Sequence, residues 1–147
     1  YLAIHSRDNA RTPMQWDDSK NAGFSDAEPW IAVNPNYSEI NAKAALADPS
    51  SVFYHYQKLI QMRHDLPVMT EGKFALVNGN ELDEQVFAYT RDDGETTLLV
   101  VANFTKETIK REYAAGQGKL LLSNYENVMG ETLRPYEAKV YEFSSKR

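Results

Sequence analysis

The run Arg7-Asp8-Asn9-Ala10-Arg11-Thr12-Pro13-Met14-Gln15-Trp16-Asp17 gathers more potential chemistry than any other stretch of this chain. It holds two arginines, two aspartates, one proline and one tryptophan, with no period of 2 or 3.6. Specific hydrogen bonds, rather than burial of an apolar stripe, must therefore order it. A guanidinium is a planar fork suited to bidentate contact with carboxylates or hydroxyls. An indole offers a flat face to a sugar ring or to packing. The plainer alternative is a structural loop with surface ion pairs.

Other chemistry is less marked. The 21 acidic residues are too many for counting to single out a catalytic pair. His5, His55 and His64 lack metal-ligand spacing, and Asp92-Asp93-Gly94-Glu95 lacks the ligand alternation of a calcium loop. No metal site or cofactor is expected. Tyr113, Tyr125, Tyr136 and Tyr141 could form a carbohydrate platform, although aromatics in strands usually fill a core or cover its edge. With no cysteine, disulfides and thiolate metal sites are ruled out, and a reducing, cytoplasmic setting is the expectation. Asn36-Tyr37-Ser38 and Asn103-Phe104-Thr105 read as chance sequons.

Composition narrows the partners. An apolar fraction of 42% and a charged fraction of 25% are those of a globular protein. A net charge of -5 gives no electrostatic reason to expect nucleic acid or an anionic membrane. No run approaches the roughly 18 apolar residues of a membrane span. Tyr1-Leu2-Ala3-Ile4-His5 does not read as a signal peptide, and the missing initiator Met suits a piece of a longer chain.

Residues 1–47 contain three of the six prolines and little periodicity, so they read as an ordered excursion that needs a partner surface. A short helical turn is expected around Glu39–Leu46, with Ile40, Ala44 and Ala47 on one face. The clearest helix starts at Asp48 or Pro49 and stops at Leu66-Pro67. Val52, Phe53, Tyr56, Leu59, Ile60 and Arg63 form its stripe, to be buried if further strands are present to receive it. From Val68 the period becomes 2. Lys73–Val77, Gln85–Thr90, Thr97–Phe104, Thr108–Tyr113, Lys119–Asn124 and Lys139–Phe143 read as strands, with turns at Asn78-Gly79-Asn80 and Asp92–Glu95. Leu98–Val101, apolar on both faces, reads as a central strand. The fold class expected is mainly β: an antiparallel β-sandwich over 68–147, behind a first region over 1–67 with a boundary near Leu66–Glu71.

The opening run, with Gly23-Phe24, Pro29-Trp30-Ile31, Val33-Asn34-Pro35-Asn36-Tyr37 and Ile40-Asn41, closely resembles the oligo-1,6-glucosidase branch of the α-amylase superfamily. That branch includes dextran glucosidases, α-glucosidases, trehalose-6-phosphate hydrolases and sucrose isomerases. Ala102-Asn103-Phe104 and Leu133-Arg134-Pro135-Tyr136-Glu137-Ala138 extend the likeness more weakly. It implies that residues 1–67 are the last loop and helix of a (β/α)8 barrel, and 68–147 its C-terminal β-sandwich. The parent would be a retaining α-glucosidase acting on the non-reducing ends of short α-glucans. Its nucleophile Asp, acid Glu and stabilising Asp would all lie upstream of Tyr1. No residue here is therefore nominated as catalytic, and the fragment should be inert alone. Arg11 is implied as the substrate-binding arginine at subsite −1, held by an upstream Asp; Arg7 is the competitor. Asp8 and Asp17 are expected to brace the arginines, and Trp16 and Trp30 to pack. The implied partners are the rest of the barrel and a small oligosaccharide. A non-catalytic carbohydrate-binding or structural sandwich is the alternative.

Overall fold

Period-2 patterning beyond Lys73 becomes an antiparallel sheet, and the irregular region before it becomes a set of turns. The computed structural model describes residues 7–77, 80–113 and 118–144, without the Arg7 and Asn9 side chains. The chain forms two compact units, residues 1–59 and 60–147, divided inside one helix.

In the first unit, 3-10 turns at Arg7–Ala10, Lys20–Gly23 and Pro35–Ser38 precede helix α1 (Ala42–Ala47). Asn41 caps α1. Its Oδ1 accepts from Ala44 N at 2.8 Å, and its Nδ2 donates to Tyr37 O at 2.8 Å. The expected helical turn thus forms behind Asn41, and Ile40, Ala44 and Ala47 remain exposed instead of sharing a buried face.

Helix α2 (Val52–Asp65) starts later than expected. The Asp48 carboxylate is taken by Ser50, whose N and Oγ donate at 2.9 and 2.7 Å, and the Asp48 carbonyl accepts from Ser51 N. A turn therefore precedes the helix, and Ser51 O receives its first bond, from His55 N. Leu66-Pro67 ends α2 as predicted. Its stripe is largely exposed: Val52, Phe53, Tyr56 and Ile60 are each at least 45% exposed, while Leu59 is half-buried.

The second unit carries helix α3 (Val68–Glu71) and strands β1 (Lys73–Leu76), β2 (Val86–Asp92), β3 (Thr96–Asn103), β4 (Ile109–Lys110), β5 (Lys119–Ser123), β6 (Thr132–Leu133) and β7 (Ala138–Ser144). Five of them form one antiparallel sheet in the order β1-β2-β3-β7-β5; β4 and β6 form a separate two-stranded ribbon. The strand expected over Thr108–Tyr113 shrinks to Ile109–Lys110, since its partner β6 offers only two residues. Two residues bear no legible alternation, so β6 was not visible in the pattern. At the β2–β3 turn Gly94 takes φ 94°. There Asp93 Oδ1 accepts from Glu95 N and Thr96 N, which explains this acidic run as a turn. Asn78 and Gly79 of the other predicted turn lie outside the described residues; Asn80 opens a 3-10 turn.

Val86, Ala88, Leu99, Val101 and Tyr141 on one face of the large sheet form a core with Ile109 and Leu133 of the ribbon. Each large aliphatic buried there contributes about 1.5–3 kcal/mol. On the opposite face α3 packs on β2 and β3, where Val68 and Leu98 are each only 2% exposed. Strand β3 is thus central and covered on both sides, as its unbroken apolar run predicts.

Candidate functional site

Arg11 follows the Arg7–Ala10 turn, its amide donating to Asp8 O at 3.0 Å. The run after it is ordered by hydrogen bonds, as its lack of periodicity requires. Gln15 Nε2 donates to Asn36 Oδ1 at 3.0 Å and also to Ile40 O. Gln15 O and Trp16 O accept from Ala42 N and Lys43 N, both at 2.9 Å. Pro13 is the buried residue of this stretch.

A left-handed turn then reverses the chain. Asn21, Ala22 and Gly23 have φ of 54°, 58° and 67°. Ala22 O accepts from both Trp16 N (2.8 Å) and Asp17 N (3.2 Å). A Cβ at position 23 would stand 2.8 Å from Asp17 Oδ1, so any other residue would have to displace the Asp17 carboxylate and take an unfavourable φ. The reversal brings Phe24–Ile31 beside Arg11. Between them lies an open cavity of about 570 Å³, lined by Arg11, Thr12, Pro13, Met14, Phe24, Ser25, Glu28, Pro29, Trp30 and Ile31.

This groove joins one guanidinium, one carboxylate and two aromatic rings. Charged hydrogen-bonding groups beside flat apolar faces suit a ring that bears hydroxyls on its rim and C–H bonds on its face. Arg11 is exposed, and it forms no ion pair among the described residues. Glu28 is the sole carboxylate of the lining. Retaining glycoside hydrolysis takes two carboxyl groups about 5 Å apart, so these lining residues can bind but do not make up the reacting pair.

Two expectations need correcting. Asp17 does not brace an arginine: its Oδ1 accepts from the amide and hydroxyl of Ser19, and these bonds hold its carboxyl below the usual range. Trp16 and Trp30 are not packed; they are 54% and 85% exposed. The Trp16 main chain is tied at both N and O, which fixes the backbone without covering the ring. Of the four tyrosines, three pack as aromatics in strands usually do, and Tyr136 alone is largely exposed, at 62%. Tyr141 is in the core and Tyr113 packs against it; Tyr125 lies 3.9 Å beneath the Arg134 guanidinium, with its hydroxyl donating to Pro135 O. The Arg7 side chain and His5 fall outside the described residues. His55 is half-buried and His64 exposed, and no cluster of three or more His, Cys, Asp or Glu among the described residues could hold a metal ion.

The weaker blocks of the resemblance meet in the second unit. Asn103 Nδ2 donates to Glu107 O at 2.7 Å and to Arg134 O at 2.9 Å, while its Oδ1 accepts from the Thr105 amide and hydroxyl. Fully buried Glu137 accepts from Arg134 N at 2.7 Å and Arg134 Nη2 at 3.1 Å. Lys139, also buried, donates to Thr132 O at 2.7 Å and lies 3.6 Å from Glu137 Oε1. Burial alone would raise the Glu137 pKa, but the Arg134 bonds and the charges of Lys139 and Arg134 outweigh it and hold the group below its ordinary value. Burial pushes Lys139 down against the pull of Glu137. With Asn103, Glu137 and Lys139 buried and Arg134 half-buried, this cluster braces loops. Phe24 and Glu28 were not read from the sequence as partners of Arg11. The signal was present in Asn21-Ala22-Gly23, but only Gly announces a left-handed turn, whereas Ala22 conceals one.

Known proteins carry the same pattern. The family profile described as "Alpha amylase, catalytic domain" matches residues 1–72. The oligo-1,6-glucosidase of Halalkalibacterium halodurans is 49% identical over 95% of this chain and 26% of its own length. The α-glucosidase of Pediococcus pentosaceus is 48% identical over 97% of the chain and 26% of its own. Among solved structures, the trehalose-6-phosphate hydrolase of Bacillus licheniformis superposes with a TM-score of 0.87 at 38% identity, covering 98% of this chain and 27% of that one. Isomaltulose synthase from Klebsiella sp. LX3 gives 0.85 at 37%, covering 93% and 26%. The chain therefore spans about a quarter of the length of these relatives.

Proposed function

Because the chain belongs to the α-amylase superfamily, we propose that it is the C-terminal portion of a retaining α-glucosidase of the oligo-1,6-glucosidase type. The parent hydrolyses glucosyl units from the non-reducing ends of short α-glucans, in the cytoplasm. The observation that carries this reading is near-half identity to an oligo-1,6-glucosidase across almost the whole chain. Residues 1–67 complete the catalytic barrel, and 68–147 form a β-sandwich in which the β4–β6 ribbon is part of the second layer.

Within the parent, Arg11 holds the non-reducing-end glucose. A guanidinium fixed by a carboxylate binds neighbouring hydroxyls and positions the sugar for attack. The reacting carboxylates are supplied by the rest of the barrel, so the 147-residue chain is inert alone. Full-length enzyme should release glucose from isomaltose, and absence of turnover on every α-glucoside would remove the proposal. Arg11→Ala in that enzyme should cut kcat/KM by ~2 kcal/mol or more of transition-state binding while leaving its melting temperature nearly unchanged. An unaltered rate for Arg11→Ala beside a collapsed rate for Arg7→Ala would transfer the role to Arg7.

A second reading, a carbohydrate-binding sandwich, draws on one observation. Phe74, Tyr89 and Phe87 form a row on the large sheet, with ring centroids 5.2 and 5.4 Å apart.

A further inference from the structure

We propose that Trp30 and Glu28 hold the leaving sugar, the second hexose of the substrate, and so help to set which α-glucosides the parent cleaves. The proposal rests on the reading of the chain as part of an α-glucosidase with Arg11 on the first glucose. The groove beside Arg11 holds about 570 Å³, in the range of pockets that take ligands larger than one hexose ring. With the non-reducing-end glucose taken by Arg11, the rest of an oligosaccharide runs onward, along the wall formed by Phe24–Ile31.

That wall carries uncommitted binding groups. Trp30 is 85% exposed, the most exposed aromatic residue among those described. No ring or cation stacks on it among the described residues. Glu28 is exposed as well. Neither it nor Arg11 forms an ion pair among the described residues, although both line the one groove. A bare indole beside a free carboxylate matches a hexose, which offers C–H bonds from its face and hydroxyl donors from its rim. The wall is also fixed. Asn21 Nδ2 donates to Ser25 O and Ala27 O at 2.9 and 3.0 Å, and Pro29 locks the backbone between the two groups. A platform already in place binds with little ordering cost. The charge of Glu28 disfavours a phosphorylated leaving sugar, so a neutral one is accepted. Arg11 and Glu28 thus divide the substrate, the cation on the glucose that is transferred and the anion on the sugar that departs.

The full-length parent tests this with two substrates that share the glucosyl group. Isomaltose has glucose as its leaving group, whereas α-glucosyl fluoride has only fluoride. In Trp30→Ala and in Glu28→Gln, kcat/KM should fall about tenfold or more further for isomaltose than for the fluoride. Trp30→Phe, which keeps an aromatic face, should recover most of the loss. Equal losses on the two substrates overturn the proposal, and so does no loss on either. An active parent whose substrate ratio is unmoved in both variants rejects this site and keeps the glucosidase reading. Calorimetric titration with isomaltose separates the other case. An inactive parent that binds isomaltose, and binds it more weakly in Trp30→Ala, rejects the glucosidase reading and keeps the sugar site. An inactive parent that binds none rejects both.

Discussion

Residues 7–59 bury almost nothing, whereas residues 60–144 are built around a core. In the first region Pro13, Ala22 and Asn41 are the fully buried positions among the described residues. Its shape comes from Gln15, Asn21, Asn34 and Asn41, whose amides bind backbone groups across turns. In the second region seven apolar side chains share a cluster, and half-buried Arg134 with buried Glu137 and Lys139 ties its loops. A network of single hydrogen bonds contributes about 0.5–1.5 kcal/mol per bond and opens locally, while a packed core fails as a unit. The groove that presents Arg11 therefore stands on the weaker kind of structure. Its fixed points are a few backbone carbonyls and one strained turn.

The contrast can be pressed by separate probes. Both tryptophans, Trp16 and Trp30, lie in the first region, so their fluorescence reports it, while far-UV circular dichroism reports chiefly the strands. The largest effect should come from Glu137→Ala, which strands buried Lys139 and removes the acceptor of Arg134. A loss of about 3–5 kcal/mol is expected in the dichroism transition under urea, with Glu137→Gln recovering part of it. A loss confined to the fluorescence transition would contradict the assignment of this array to the second region.

Gly23→Ala should cost about 1–3 kcal/mol by forcing a side chain into φ +67° against Asp17, and it should shift fluorescence while leaving the dichroism transition in place. Acid should act on the second region through two ion-paired carboxylates. Glu137 and Asp83 are held below ordinary carboxylate values, Asp83 chiefly by its hydrogen bond from Arg111. A depressed carboxylate contributes stability that is fully present above its unfolded pKa, about 4. That stability is lost as pH falls through the native value. Urea midpoints by dichroism should therefore fall below about pH 4, and Glu137→Gln should flatten the dependence. The smallest effect belongs to Lys43→Ala. Its partner Asp18 is 3.3 Å away, and both side chains are more than half exposed, so neither probe should move measurably.

Much of the second region was legible because β2 and β7 alternate and β3 runs apolar through a doubly covered position. Local sequence also sufficed for Gly94 at its turn, Pro67 at the end of α2 and the polar order of Arg11–Asp17. Other features are nonlocal. Ribbon strand β6 exists only because Thr132–Leu133 meets Ile109–Lys110. Helix α2 begins at Val52 because Asp48 is captured by Ser50. Tyr113, Tyr125 and Tyr141 went into packing, while the exposed row was made from Phe74 and Phe87 on neighbouring strands.

Sequence by itself determined which residues alternate, where the chain turns, and a family likeness strong enough to imply a sugar-binding arginine. Tertiary structure decided which of those residues come together: Arg11, Glu28 and Trp30 line one groove beside a left-handed turn, and Asn103 bonds to Arg134 across 31 positions. The reason is physical. Periodicity and turn chemistry act over a few bonds, whereas a groove or a buried ion cluster depends on register and backbone reversal between segments that carry no local mark of each other.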